Sequence, residues 1–171
     1  MSADGDSTFP RHSLRPQTAR WTHLALRVAD IDASIAWYER HTPLRLLERR
    51  EDDQGYGAWL GQSESASSPF ILVLAHFFPS TDPFAGVPTD ALAPFSHIGI
   101  ELPARSDVDA ASDRADADSC LVMAPQQLPD PVGYVCMARD PDGNLVEFSF
   151  DQGVYEAARR IWGDAELNTG H

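Results

Sequence analysis

Two histidines and one glutamate hold most of the chemistry that this chain's residue types and spacing suggest. His23 and His97 each stand third in a short apolar run, Trp21-Thr22-His23-Leu24-Ala25-Leu26-Arg27-Val28 and Phe95-Ser96-His97-Ile98-Gly99-Ile100-Glu101-Leu102, and the runs are offset by 74 residues. Glu147 lies in Leu145-Val146-Glu147-Phe148-Ser149-Phe150, and the same offset carries it onto Val73 in Phe70-Ile71-Leu72-Val73-Leu74. A repeat of this length with strand-helix-strand content points to a duplicated module and not a solenoid. Two imidazoles and a carboxylate make a facial donor set for a divalent ion, with positions left for water and a chelating substrate. Such donors suit Fe, Ni, Zn, Mn or Co, and the sequence does not choose among them. A carboxylate among Leu145, Val146, Phe148 and Phe150 is costly to bury unpaired, although alternation can also turn it to solvent.

The elements that must position these groups follow from periodicity and turn chemistry. Alternation over Trp21 to Val28 predicts a strand with His23, Ala25 and Arg27 on one face and Leu24, Leu26 and Val28 on the other. Asp30 is the N-cap of a helix whose stripe is Ile31, Ile35 and Tyr38 and which ends near Pro43. Strands are expected over Leu44 to Glu51, Tyr56 to Leu60 and Phe70 to Phe77. Residues 79–94, with Asp82-Pro83 and Gly86-Val87-Pro88, form a linker. The order then repeats with a strand over Phe95 to Glu101, a helix over Ser106 to Ala117, strands over Leu121 to Ala124 and Tyr134 to Ala138, and an Asp140-Pro141-Asp142-Gly143 turn into Leu145 to Phe150. The expected organisation is a disordered tail over 1–18, one domain over 19–151 (module one 20–78, module two 95–151), and a C-terminal helix and tail over 152–171.

Bulk properties narrow the class of partner. The chain has 171 residues, 43% of them hydrophobic, and a formal charge of −13. That is enough for one ordinary core. No apolar run reaches the roughly 20 residues that cross a bilayer, and no signal-peptide stretch opens the chain, so a cytoplasmic protein is expected. The acidity disfavours nucleic acid and anionic membrane and favours a small-molecule substrate. Cys120 and Cys136 read as small buried hydrophobes with no disulfide framework.

His23-x-x-Leu26-x-Val28-x-Asp30 with the Ser34-Ile35-Ala36-Trp37-Tyr38 helix, then Ser96-His97-Ile98-Gly99, then Arg139-Asp140-Pro141-Asp142-Gly143-Asn144-Leu145-Val146-Glu147, resembles the vicinal oxygen chelate superfamily. That group holds glyoxalase I, extradiol dioxygenases, fosfomycin-resistance transferases, methylmalonyl-CoA epimerase and bleomycin-binding proteins. The resemblance covers about residues 20 to 151 and implies an α+β fold of paired βαβββ modules forming a curved mixed sheet around a metal, in a homodimer. It assigns His23, His97 and Glu147 as metal ligands, with Val73 in the fourth place, where glyoxalase I and the epimerase carry Glu or Gln. Arg27 matches the arginine with which glyoxalase I binds a substrate carboxylate, and it shares the His23 face.

The departures set the alternatives. Met137 stands where extradiol dioxygenases have tyrosine, and Ala25 where the fosfomycin enzymes have threonine. The expected activity is therefore a glyoxalase-like, divalent-metal-dependent lyase or isomerase that chelates neighbouring oxygens and stabilises an enolate or oxyanion. An Fe(II) ring-cleaving dioxygenase and a non-enzymatic drug-binding module of the bleomycin-resistance kind are the competing readings. No general base is assigned. Glu101 and His76 are lesser candidates, Tyr56, Trp59 and Tyr134 are pocket or core aromatics, and Asp140 and Asp142 are turn residues.

Overall fold

A computed structural model describes residues 21–62, 70–88, 90–93, 95–154, 156–157 and 160. The expected N-terminal tail and most of the expected C-terminal helix, including Ile161 and Trp162, lie outside the described residues.

Each half of the chain folds as strand, helix and three strands. Module one comprises β1 (His23–Arg27), α1 (Ile31–His41), β2 (Arg45–Glu51), β3 (Gly55–Gly61) and β4 (Ile71–Phe77). Module two comprises β5 (His97–Glu101), α2 (Arg105–Ala117), β6 (Leu121–Gln127), β7 (Tyr134–Arg139) and β8 (Leu145–Phe150). Each makes its own four-stranded mixed sheet, in the orders β1-β4-β3-β2 and β5-β8-β7-β6. The first strand of each module pairs parallel to the last, and the other pairs are antiparallel. The paired βαβββ architecture is present, as two sheets.

One face of each sheet is covered by its helix. Asp30 caps α1 by accepting from the N–H groups of Asp32 and Ala33, both at 3.0 Å. The buried positions Ile31, Ser34, Ile35 and Tyr38 keep helical spacing and pack on Leu26, Leu72, Leu74 and Leu60. In α2 the same spacing recurs at Val108, Ala111, Ser112 and Ala115, against Cys136, Ala138, Val146 and Phe148. Burial of each large core side chain is worth about 2 kcal/mol. The opposite sheet faces carry His23, Ala25 and Arg27 in module one, and His97, Gly99 and Glu101 in module two.

Strand β6 runs to Gln127, past the expected end at Ala124. It is an edge strand, where Pro125 costs no ladder hydrogen bond on its outer side, and its register against β7 is irregular.

The Asp140-Pro141-Asp142-Gly143 turn does more than reverse the chain. Gly143 sits at φ 90°, a conformation that an L side chain resists. Asp140 accepts from the backbone N–H groups of Asp142 and Asn144. Its second oxygen accepts from the buried Tyr38 hydroxyl of α1 at 2.9 Å and from Asn144 Nδ2 at 2.8 Å. Asp142 accepts from Ala29 N at 2.7 Å and Ser34 Oγ at 3.2 Å. The turn of module two is thereby latched onto the helix start of module one. A second tie joins Arg40 and His41 of α1 to Asp118 at the end of α2.

Candidate metal centre

His97 and Glu147 meet on the open face of the second sheet. Parallel pairing sets Gly99 opposite Glu147, so His97 lies one step along the same face. The His97 Nε2 to Glu147 Oε2 distance is 3.7 Å. His97 Nδ1 stands 2.7 Å from the carbonyl oxygen of Phe95, a contact that requires Nδ1 to be the N–H donor. Nε2 is left facing a carboxylate oxygen, where a shared proton or a cation would satisfy both groups. Donation of the second ring nitrogen to a backbone carbonyl is also what orients metal-binding histidines.

Glu147 is only 5% exposed. Its Oε1 accepts from Gln152 Nε2 at 2.8 Å. Ser149, fully buried, donates to Gln152 Oε1 at 3.4 Å, and the Gln152 backbone N–H donates to Glu101 Oε1 at 3.2 Å. Beside them Gly99 leaves room, since a Cβ built there meets nothing within 4 Å. A separate cavity of about 290 Å³, lined by Leu24, Phe70, Leu72, Ile98, Gly99 and Glu101 and by neither His97 nor Glu147, lies between the modules.

His23 is placed differently. It occupies the same face of β1, is exposed, and its Nδ1 lies 2.9 Å from Thr22 Oγ1. Among the described residues no group of three His, Cys, Asp or Glu side chains is placed to hold a metal, so within one chain His23 does not join the other two. Val73, in the fourth place, faces the same side as Trp59, its cross-strand neighbour.

Arg27 has an internal partner. Its guanidinium binds the Asp82 carboxylate and stands 5.5 Å from the Phe77 ring centre. Burial pushes the Asp82 carboxyl up, but the Phe84 N–H and the Arg27 charge outweigh it and hold the group below the usual carboxylate range. A cavity of about 390 Å³ opens beside this pair, lined by Ala25, Ala75, Phe77, Phe84 and Val87.

The other candidates have structural roles. His76 packs against Tyr56 and Phe78. Tyr134 donates to Asp109 and lies under Arg105. Burial pushes the Cys136 thiol up to about 11, which keeps it protonated and inert. Gln152 was not singled out by the sequence, and Asp82 was read only as part of the linker. Each meets its partner only through the fold.

The family model for the Glyoxalase/Bleomycin resistance protein/Dioxygenase superfamily matches residues 20–148. An uncharacterized protein of Pseudomonas aeruginosa, PA2024, is 41% identical over 131 residues, spanning 77% of this chain and 88% of its own. Among solved structures, lactoylglutathione lyase from Agrobacterium tumefaciens superposes with a TM-score of 0.54 at 21% identity, covering 86% of this chain and 99% of that one. TnmS3, an antibiotic binding protein from Streptomyces sp. CB03234, gives 0.56 at 20% identity, covering 80% and 98%. At these identities the structural matches speak for the fold.

Proposed function

Since the chain belongs to the Glyoxalase/Bleomycin resistance protein/Dioxygenase superfamily, we propose that it is a divalent-metal-dependent enzyme of the glyoxalase type, with His97, Glu147 and His23 as the metal ligands. The observation that carries this reading is His97 Nε2 facing a buried carboxylate oxygen at 3.7 Å, with Nδ1 tied to Phe95 O. Borderline nitrogen and hard oxygen donors together fit a first-row divalent ion. The third donor comes from a second copy of the chain, because His23 lies exposed on the equivalent strand of module one and does not reach the pair within its own chain. Apolar side chains at the same ends of the two sheets support such pairing: Trp21 is 85% exposed and Phe95 86%.

Held by His97, Glu147 and His23, a divalent cation would supply Lewis acidity to a chelating substrate. The chain's own residues do the rest. Glu147 and His97 would fix the position of that cation, and Gly99 keeps the space beside them open. Arg27 takes a substrate carboxylate by exchange with Asp82, trading one charge-assisted pair for another. The substrate class is a small anionic molecule with adjacent oxygens.

Metal analysis of untagged protein tests the reading. About one Zn(II), Ni(II), Fe(II), Co(II) or Mn(II) per chain is expected, with at least tenfold weaker retention in His97→Ala, Glu147→Ala and His23→Ala, and a dimer in sedimentation. Arg27→Ala is expected to raise KM for a thiol–aldehyde adduct with metal content unchanged. Oxygen uptake driven by a catechol with Fe(II) would move the assignment to ring cleavage. Metal-free protein from metal-replete cultures would replace the enzyme by a small-molecule binding module, TnmS3 being an antibiotic binding protein.

A further inference from the structure

We propose that Gln152 is a positioning residue that holds Glu147 with one oxygen committed and the other presented to the metal; this rests on the metal reading above. The chain does not simply leave the sheet after β8. Asp151 adopts φ 60° and Gly153 φ 71°, two left-handed residues that bracket Gln152. A non-glycine residue in that region is uncommon, and such conformations persist where the surrounding structure demands them. This double reversal returns Gln152 over the open face of the second sheet.

There its groups are matched one by one. Nε2 donates to Glu147 Oε1, Oε1 accepts from Ser149 Oγ, and the backbone N–H donates to Glu101 Oε1. The amide can stand only this way round, because the flipped form would set its oxygen against a carboxylate oxygen. With Oε1 held, Oε2 is the atom left facing His97. The carboxylate therefore offers one oxygen to a cation, and its rotation about the last side-chain bond is restrained. Without the amide, a buried carboxylate loses its donor on one oxygen and its orientation together. Gln152 thus does for Glu147 what the Phe95 carbonyl does for His97.

Co(II) titration of the protein, followed by its visible absorption bands and by competition with a chelator, separates the possibilities. Gln152→Met keeps the volume and removes the donor, whereas Gln152→Ala removes both. Losses of about 10- to 100-fold in Co(II) affinity in both variants, with altered band positions in protein that remains folded, are expected for a hydrogen bond that orients a ligand. A loss in Ala alone would mean that Gln152 acts by packing, and it would overturn the proposal. So would wild-type affinity and spectrum in both variants, an outcome that leaves the metal reading standing. Failure of the wild type to bind Co(II) at all would remove the metal reading and this proposal together.

Discussion

The open faces of the two sheets share a backbone and differ in chemistry. Ala25 and Val73 are register partners in module one, as Gly99 and Glu147 are in module two, and Arg27–Ala75 corresponds in the same way to Glu101–Ser149. At each step the second module puts a polar or vanishing side chain where the first has an apolar or cationic one. Module one then neutralises its cation with Asp82 from the linker, whereas module two knits Glu147, Ser149 and Glu101 together through Gln152. The ladder constrains which residues are neighbours, but not what they are. A duplicated sheet can therefore keep one backbone and carry different chemistry on its two open faces.

The comparison presupposes that the halves are held in one arrangement, and the largest expected effect comes from undoing that. Asp140 accepts four hydrogen bonds, one of them from the buried Tyr38 hydroxyl across the module boundary. Burial, ahead of the Asp140 charge and hydrogen bond, holds the Tyr38 hydroxyl protonated far above its usual range, so it remains a donor throughout. Asp140→Ala leaves buried donors unsatisfied and should cost about 3 kcal/mol in urea unfolding, given the roughly 1–3 kcal/mol penalty for each such group and partial rescue by water. Tyr38→Phe should cost about 1 kcal/mol. An unchanged unfolding midpoint in Asp140→Ala would show that the latch does not hold the modules.

Much of this arrangement was legible in the sequence, because the signals that specify it are local. Alternation in Trp21 to Val28 and Phe95 to Glu101, the Asp30 cap and the Asp-Pro-Asp-Gly turn each act within a few residues. The meeting of His97 and Glu147 was legible too, since equivalent strand positions in a parallel pair share a face. Three things were not. The separation of His23 from that pair is set by how the modules dock, through Asp140, Asp142 and Asp118, which carry no sequence mark of their distant partners. The Arg27–Asp82 pair joins residues 55 apart through a linker with no periodicity. Gln152 reaches Glu147 only because Asp151, a non-glycine, turns left-handed.

The second prediction sharpens the comparison by making the halves alike. Val73→Glu puts a carboxylate at the position equivalent to Glu147, beside Trp59 and Ala25. In metal-free protein a half-buried charge without a partner should lower stability by roughly 1–3 kcal/mol. If the position faces the cation of a composite site, metal should restore that loss, because a ligand at about 100 times its Kd adds about 2.7 kcal/mol. The stabilisation by Zn(II) in thermal melts should then be larger for Val73→Glu than for the wild type. Equal stabilisation would place Val73 away from the metal and break the equivalence of the two halves at the site.

The smallest expected effect lies at the other seam, where α1 meets the end of α2. His41 is buried there, stacked on Trp37 with ring centres 4.7 Å apart. Its Nε2 stands 3.1 Å from Asp118, its Nδ1 has no hydrogen-bond partner among the described residues, and the Cys120 sulfur is 4.0 Å from Nε2. Burial lowers the imidazole pKa below the ordinary 6.5; Asp118 opposes that shift, and Arg114 and Arg40 reinforce it. A group whose pKa is depressed in the fold is bound by more protons when unfolded. The stability it confers is therefore complete above about pH 6.5 and drains away as the pH falls through that value toward the folded pKa. The hydrogen bond from Arg40, ahead of the charges of Arg40 and His41, holds the Asp118 carboxyl below its ordinary 3.8, so its own contribution is lost only at more acidic pH and the two windows separate. His41→Gln keeps an N–H donor for Asp118 and cannot titrate. Urea midpoints measured between pH 7.5 and 5 should fall for the wild type and fall less for His41→Gln, by a margin smaller than either effect above. Parallel lines for the two proteins would mean that His41 reaches solvent readily enough to titrate as it does in the unfolded chain, and that the seam at α1 and α2 is looser than the Asp140 latch.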